Sequence, residues 1–112
     1  MFHLENRKTM YTIALEEHYV SPTFLQGSGR NLKEQAERSG SFTFLELLCD
    51  LDDRRIADMD AADIDMQVLS LGSPGVEQLD APDAVTLARE TNNYLAEAIR
   101  RHPGRIAGVA AI

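Results

Sequence analysis

The sequence predicts an α/β fold of parallel strands joined by helical crossovers, and three observations carry that reading. Two short runs, Met66 to Leu71 and Arg105 to Ile112, have the near-continuous apolar character of strands buried on both faces. A third strand pattern, at about 11–18, precedes them. The stretches between have helical periodicity and the length that parallel connections require. The order is therefore β, α, β, α, β.

Each element has its own signal. Residues 1–9 are polar and patternless, an upstream extension, and Met10 stands directly before the first strand as a candidate natural start. Ser21-Pro22 breaks that strand, and Gln26-Gly27-Ser28-Gly29-Arg30 reads as a flexible loop. A short helix is expected over 31–38, punctuated by Ser39-Gly40-Ser41. From about 42 to 63 the pattern is helical in two pieces, with Phe44, Leu47, Leu48 and Leu51 at i, i+3, i+4 and i+7. Ile56, Met59 and Ala62 extend a stripe on the second piece. After the Gly72-Ser73-Pro74-Gly75 loop a long helix starts near Pro82, suited to a first turn, with Asp83 at the positive end of the dipole. Val85, Ala88, Asn92, Leu95 and Ile99 recur along it, and His102-Pro103-Gly104 ends it.

Composition narrows the function classes. The 112 residues make one modest domain, and 44% hydrophobic content is ordinary for a globular chain. A net charge of −7 repels phosphate backbones and argues against nucleic acid as a partner. Asp50, Asp52, Asp53, Asp58, Asp60, Asp63 and Asp65 read as solvated helix faces. A calcium loop from Asp58 fails, because Asp63 occupies the turn-glycine position and Leu69 that of the closing glutamate. Lone Cys49, among Leu47, Leu48 and Leu51, reads as a buried thiol in a reducing, cytoplasmic setting. The first ten residues lack a secretory apolar core, and no run approaches the ~20 apolar residues that span a bilayer.

Three parallel strands cover their own faces poorly. A (β/α)8 TIM barrel takes about 250 residues, so the chain reads as roughly three of eight units: an incomplete barrel over 10–112, with Ile112 as a truncation point. In a barrel, active sites gather at the C-terminal ends of the strands. Glu16 and His18 lie there on the first strand, and their i, i+2 spacing gives them one face while Glu17 points the other way. A carboxylate beside an imidazole is half of a metal site, short of the three protein ligands a catalytic zinc usually takes. From the residues alone the plainer reading is a solvated strand-end acid and a loop-facing imidazole, and the metal reading stays open beside it. Gly72-Ser73-Pro74-Gly75 lacks the G-x-S-x-G spacing of a nucleophile elbow, and Gly27-Ser28-Gly29 has no Gly-Lys-Ser/Thr after it. His3 and His102 look uninformative, and Arg100, Arg101 and His102 suit a helix C-terminus.

Three blocks carry a family resemblance: Ala14-Leu15-Glu16-Glu17-His18-Tyr19-Val20-Ser21-Pro22, the run from Met59 to Leu71, and the run from His102 to Ala111. Together they resemble the amidohydrolase-related decarboxylases of the amidohydrolase superfamily, in the branch acting on 2,3- and 2,6-dihydroxybenzoate (γ-resorcylate). The wider superfamily usually carries His-x-His where this chain has Glu16 and His18, which argues against a metal-dependent hydrolase, the nearest rival.

The resemblance implies a metal-dependent, non-oxidative carbon–carbon lyase acting on a small aromatic carboxylic acid. Glu16 and His18 would hold a divalent metal, Zn or Mn, with further ligands and the proton-donating catalytic residue beyond Ile112. Ser73 and Pro74, on the loop after the second strand, would line the substrate pocket, although a plain βα turn is the simpler reading of them. The whole enzyme is expected to be a homo-oligomer. The alternative from a different class is an inactive truncated fragment that hides its open sheet edge by association.

Overall fold

The computed structural model describes residues 10–111. The expected extension over 1–9, with His3, and the terminal Ile112 lie outside the described residues. The elements are β1 (Ile13–Tyr19), α1 (Pro22–Gln26), α2 (Arg30–Ser39), α3 (Phe42–Cys49), α4 (Asp53–Ala61), β2 (Met66–Leu71), α5 (Ala81–Arg101) and β3 (Ile106–Gly108). The strands form one sheet in the order β1-β2-β3, and both neighbouring pairs are parallel. The α/β class and the three parallel strands are as the sequence predicts.

Local chemistry sets the element boundaries. Ser21-Pro22, read from sequence as a strand break, is in fact a helix start. The Ser21 hydroxyl accepts from the Phe24 amide at 3.1 Å, and Pro22 sits where its missing N–H costs nothing. Asp80 caps α5 in the same way, its carboxylate accepting from the Asp83 amide at 3.2 Å. Gly40, at φ 75°, closes α2 in the left-handed conformation. The third strand is shorter than the expected 105–112. After the Val109 amide donates to the Leu69 carbonyl, the side-chain amide of Asn92 takes over, accepting from the Ala111 amide at 2.8 Å and donating to its carbonyl at 3.0 Å.

Helices cover one face of the sheet. Tyr19, Leu69 and Ile106 from the three strands pack with Leu51, Leu95 and Ala98, and with Ile56 of α4 and Tyr94 and Ile99 of α5. A second cluster sits beyond the C-terminal strand ends, built from Val20, Phe24, Leu25, Ala36, Leu45, Val76 and Leu87. The helical periods are those the sequence shows, but their phase is displaced. On α3 the buried residue is Leu45, while Phe44 is 56% exposed, because the helix stops at Cys49 and Leu51 reaches the core from beyond its end. On α5 the buried stripe is Leu87, Thr91, Leu95 and Ala98, with Val85, Ala88 and Asn92 along a shallow groove on its flank. Gly108 allows β3 to lie close on α5: a Cβ there would stand 2.2 Å from Leu95 Cδ2.

The opposite face of the sheet is bare among the described residues. Ile13 and Leu15 are 48% and 66% exposed on it. Where the strands begin, Thr12 and Asp65 exchange hydrogen bonds, the Thr12 amide donating to the Asp65 carboxylate at 2.7 Å and the Asp65 amide to the Thr12 carbonyl at 2.9 Å. Arg105 joins that end through the Asp65 carbonyl and the Asp60 carboxylate. No helix among the described residues is long and apolar enough to cross a membrane.

Tyr19 anchors the join between sheet and helices. It is wholly buried, donates its hydroxyl to the Thr91 carbonyl at 3.0 Å and stacks on Tyr94 with ring centroids 6.4 Å apart. Burial pushes its phenol from 10.0 up to about 12. A phenol that keeps its proton in the fold but loses it when unfolded stabilises the fold below pH 10.0, and that contribution drains as pH rises towards about 12. Urea unfolding across that window should therefore show stability falling steadily in the parent chain, with a visibly shallower fall in Tyr19→Phe. Equal slopes would remove Tyr19 as the cause.

Candidate metal site

One extra residue in β1 builds the site. Ile13 and Ala14 pair with Met66 and Gln67, but the ladder resumes with Glu17 opposite Leu69. Leu15 and Glu16 thus stand together against the single Val68, a β-bulge. Ala14 shares the helix-covered face with buried Gln67. Unbroken alternation from Ala14 would send Glu16 and His18 to that face too. The bulge reverses the second half of the strand. Glu17 and Tyr19 now turn to the covered side with Leu69 and Leu71, while His18 pairs with Ser70 on the bare side. The backbone accommodates this at Glu16, whose φ of 62° is rare for a residue with a side chain.

Glu16 and His18 are both exposed and both line a cleft of about 490 Å³ along the free edge of β1, facing Phe44 and Leu47 of α3 and Arg55 and Asp58 of α4. Both expected residues thus contribute to one cleft, and the bulge, not simple i, i+2 alternation, sets the direction of His18. His18 Nδ1 lies 3.2 Å from the Ser70 hydroxyl. A carboxylate and an imidazole facing solvent are a chemically sound partial donor set for a divalent cation. Among the described residues the only group of three or more clustered His, Cys, Asp or Glu side chains lies elsewhere, at Asp52, Asp53 and His102.

That second group has a structural explanation. His102 Nε2 meets Asp52 Oδ1 at 2.5 Å, with Arg101 Nε 3.6 Å from the same oxygen. Asp52 is the N-cap position of α4 and His102 the C-cap of α5, so the contact ties two helix ends together. The hydrogen bond from His102 holds the Asp52 carboxyl below its usual range. His102 is thus a tether, a role its sequence position did not reveal.

Arg55 is the residue sequence reasoning missed. Half of an Arg-Arg pair in an acidic stretch, it looks like surface charge. Instead its guanidinium reaches under β1: Nε donates to the Asp50 carbonyl at 2.7 Å, Nη1 to Gln67 Oε1 at 3.0 Å, and Nη2 to the carbonyls of Leu47 at 3.2 Å, Leu48 at 3.3 Å and His18 at 3.4 Å. At the C-terminus of α3 this one cation supplements the Val20 amide at the Leu48 carbonyl and the Asp50 amide at that of Leu47. Glu17 on the covered side adds a favourable charge. Arg55 so fixes the backbone of His18 against β2 and α3.

Ser73 and Pro74 follow Gly72, whose amide donates to the Tyr19 carbonyl at 2.9 Å. Ser73 is exposed, Pro74 half-buried, and the peptide between them is cis. A smaller cleft at the ends of β2 and β3 is lined by Ser70, Gly75, Val76 and Glu77 from this region, not by Ser73 or Pro74. Cys49 is half-buried, and burial pushes its thiol up, away from nucleophile character.

With that geometry in hand, comparison with known proteins is specific. No family model matches the chain. A γ-resorcylate decarboxylase from Rhizobium radiobacter is 37% identical over 106 residues, covering 89% of this chain and 30% of that protein. The chain is homologous to the hydroxybenzoate-type decarboxylases. Among solved structures, a 5-carboxyvanillate decarboxylase from Novosphingobium aromaticivorans, complexed with manganese and 4-hydroxy-3-methoxy-5-nitrobenzoic acid, superposes with a TM-score of 0.78 at 33% identity, over 93% of this chain and 34% of that one. A dihydroxybenzoic acid decarboxylase from Polaromonas sp. JS666, with bound manganese and 2-nitroresorcinol, gives 0.74 at 33% identity, over 92% and 30%. The chain spans about a third of the length of the relatives it matches.

Two stability measurements test this construction. Arg55→Met should cost on the order of 3 kcal/mol, because several buried carbonyls lose a charged donor at once; a loss below about 1 kcal/mol would show that solvent replaces the guanidinium. Glu16→Gly should be neutral to stabilising by about 1 kcal/mol, since the left-handed penalty on a side chain disappears. A clear destabilisation there would mean that the carboxylate itself supports the bulge.

Proposed function

We propose that this chain provides the first-strand metal ligands of a metal-dependent, non-oxidative decarboxylase of hydroxybenzoate-type aromatic acids. The observation that supports the reading is that Glu16 and His18 are both exposed and both line one cleft at the edge of a bulged first strand, in a chain homologous to such decarboxylases over nine-tenths of its length. Manganese is the favoured metal, because related enzymes were crystallised with it. Zinc is the alternative.

In this reading Glu16 supplies a carboxylate oxygen and His18 a ring nitrogen, while the bulge and the Arg55 clamp hold their backbone. The metal, when bound, supplies Lewis-acid charge that positions the substrate's carboxylate and its ortho-hydroxyl. The carboxylate then departs as carbon dioxide and the ring carbon takes a proton from a general acid. That acid, like the remaining ligands, belongs to the part of the relatives' length that this chain does not span. Ser73 and Pro74, at the strand-end loop, are proposed to line the pocket from the side. The complete enzyme is proposed to be a homo-oligomer in the cytoplasm, where the free Cys49 thiol suits a reducing medium.

Two ligands bind a cation weakly, since ligand number and geometry supply affinity and selectivity. The chain by itself should therefore release no measurable carbon dioxide from 2,6-dihydroxybenzoate with Mn²⁺ present. Exchanged for the corresponding third of a γ-resorcylate decarboxylase, it should support turnover, and Glu16→Gln or His18→Gln in that chimera should lower it at least ~100-fold, above the loss typical of outer-shell changes. Full activity in both variants would remove Glu16 and His18 from the metal site.

A further inference from the structure

We propose that Ser70 is the positioning residue for His18: its hydroxyl accepts the Nδ1 proton and so presents Nε2, with a free lone pair, to the cation. The inference rests on the reading of Glu16 and His18 as ligands and deepens it. Its observations are separate. His18 and Ser70 are direct partners in the β1–β2 ladder, on the bare face of the sheet. The Ser70 hydroxyl lies 3.2 Å from Nδ1. Among the described residues Nε2 makes no hydrogen bond, so the ring is held at one nitrogen and open at the other.

The chemistry then follows from tautomers. A ring nitrogen can bind a cation only through its lone pair, so the proton of a neutral imidazole must sit on the other nitrogen. Free neutral imidazole side chains favour the proton on Nε2, the wrong one for a ligand held at Nδ1. A serine hydroxyl is able to accept or to donate. Ser70 is half-buried, with solvent near to take its own proton, which leaves an oxygen lone pair for Nδ1–H. A hydrogen bond of that direction both orients the ring and raises the basicity of Nε2. The same bulge that sends His18 to this face brings it opposite Ser70. With His18 on the covered side, the two could not meet.

The test uses the full chain with nitrogen-15 histidine, metal-free, at about pH 9, well above ordinary imidazole titration. The expected spectrum places the His18 proton on Nδ1. Ser70→Ala should move it largely to Nε2, and Ser70→Thr, which keeps a hydroxyl on a strand-compatible side chain, should restore Nδ1. Amide spectra of both variants check that the fold persists. A wild-type proton on Nε2, or no change in Ser70→Ala, overturns the proposal. Titration with Mn²⁺ judges the underlying site separately. Paramagnetic broadening at His18 that is lost in Glu16→Gln supports the ligand pair, and Ser70→Ala should then weaken Mn²⁺ binding about 10-fold. Broadening with unchanged affinity in Ser70→Ala overturns the role of Ser70 alone. Absence of broadening at His18 overturns the ligand reading, and the proposal with it.

Discussion

The single unpaired position in β1 governs which way every later side chain of that strand faces. A strand has only two faces, and one added residue exchanges them. Before the bulge, the even-numbered Ala14 lies under helices; after it, the odd-numbered Glu17 and Tyr19 do. Both halves need this exchange. Tyr19 must be inside, because its ring and hydroxyl join the sheet to α5. Ala14 is half-buried on the same face, opposite buried Gln67. No unbroken strand satisfies both. The left-handed backbone at Glu16 is the local cost of meeting two packing demands of opposite parity, and the exposed Glu16–His18 edge is its product.

Around that strand the cohesion is mostly backbone carbonyls held by side chains from elsewhere. Arg55 gathers carbonyls from α3 and β1, Tyr94 donates to the Cys49 carbonyl at 2.5 Å, and Tyr19 donates to that of Thr91. These donors lie where the last carbonyls of α3 meet the strand ends, a region that secondary structure alone leaves unsatisfied. The apolar contacts define which face is inside. The polar ones decide how the C-terminal strand ends, and with them Glu16 and His18, are arranged.

The parallel strands and the crossover helices were legible because they depend on periodicity and on residue type. Met66 to Leu71 matched to the residue, since an apolar run ending in glycine admits little else. What was hidden depends on phase and distance. The α5 stripe had the right period and included Leu95 and Ile99, which do pack in the core, but a helix with alanine and leucine around much of its girth does not give the exact phase, and Leu87 and Thr91 were left out. The bulge could not be read, because Ala14, Glu16 and His18 look like simple alternation until the partner strand is known. Arg55 and Ser70 were hidden for the same reason. Ser70 meets a residue of another strand, and Arg55 bridges nearby helix-end carbonyls to both β1 and β2, so neither has a local signature.

Parity also has a consequence for strand register. β1 and β2 are parallel and more than 40 residues apart, so no turn dictates their register; the Thr12–Asp65 exchange at one end, the Arg55 bridge and the Gly72–Tyr19 bond at the other, and the side-chain pattern do so. A one-residue slip past the bulge would regularise the ladder, relax the backbone at Glu16 and turn His18 towards the helices. Such a register keeps the parallel sheet but turns Tyr19 out of the core and away from Thr91 and Tyr94, so the packing of that one ring selects the bulged pairing.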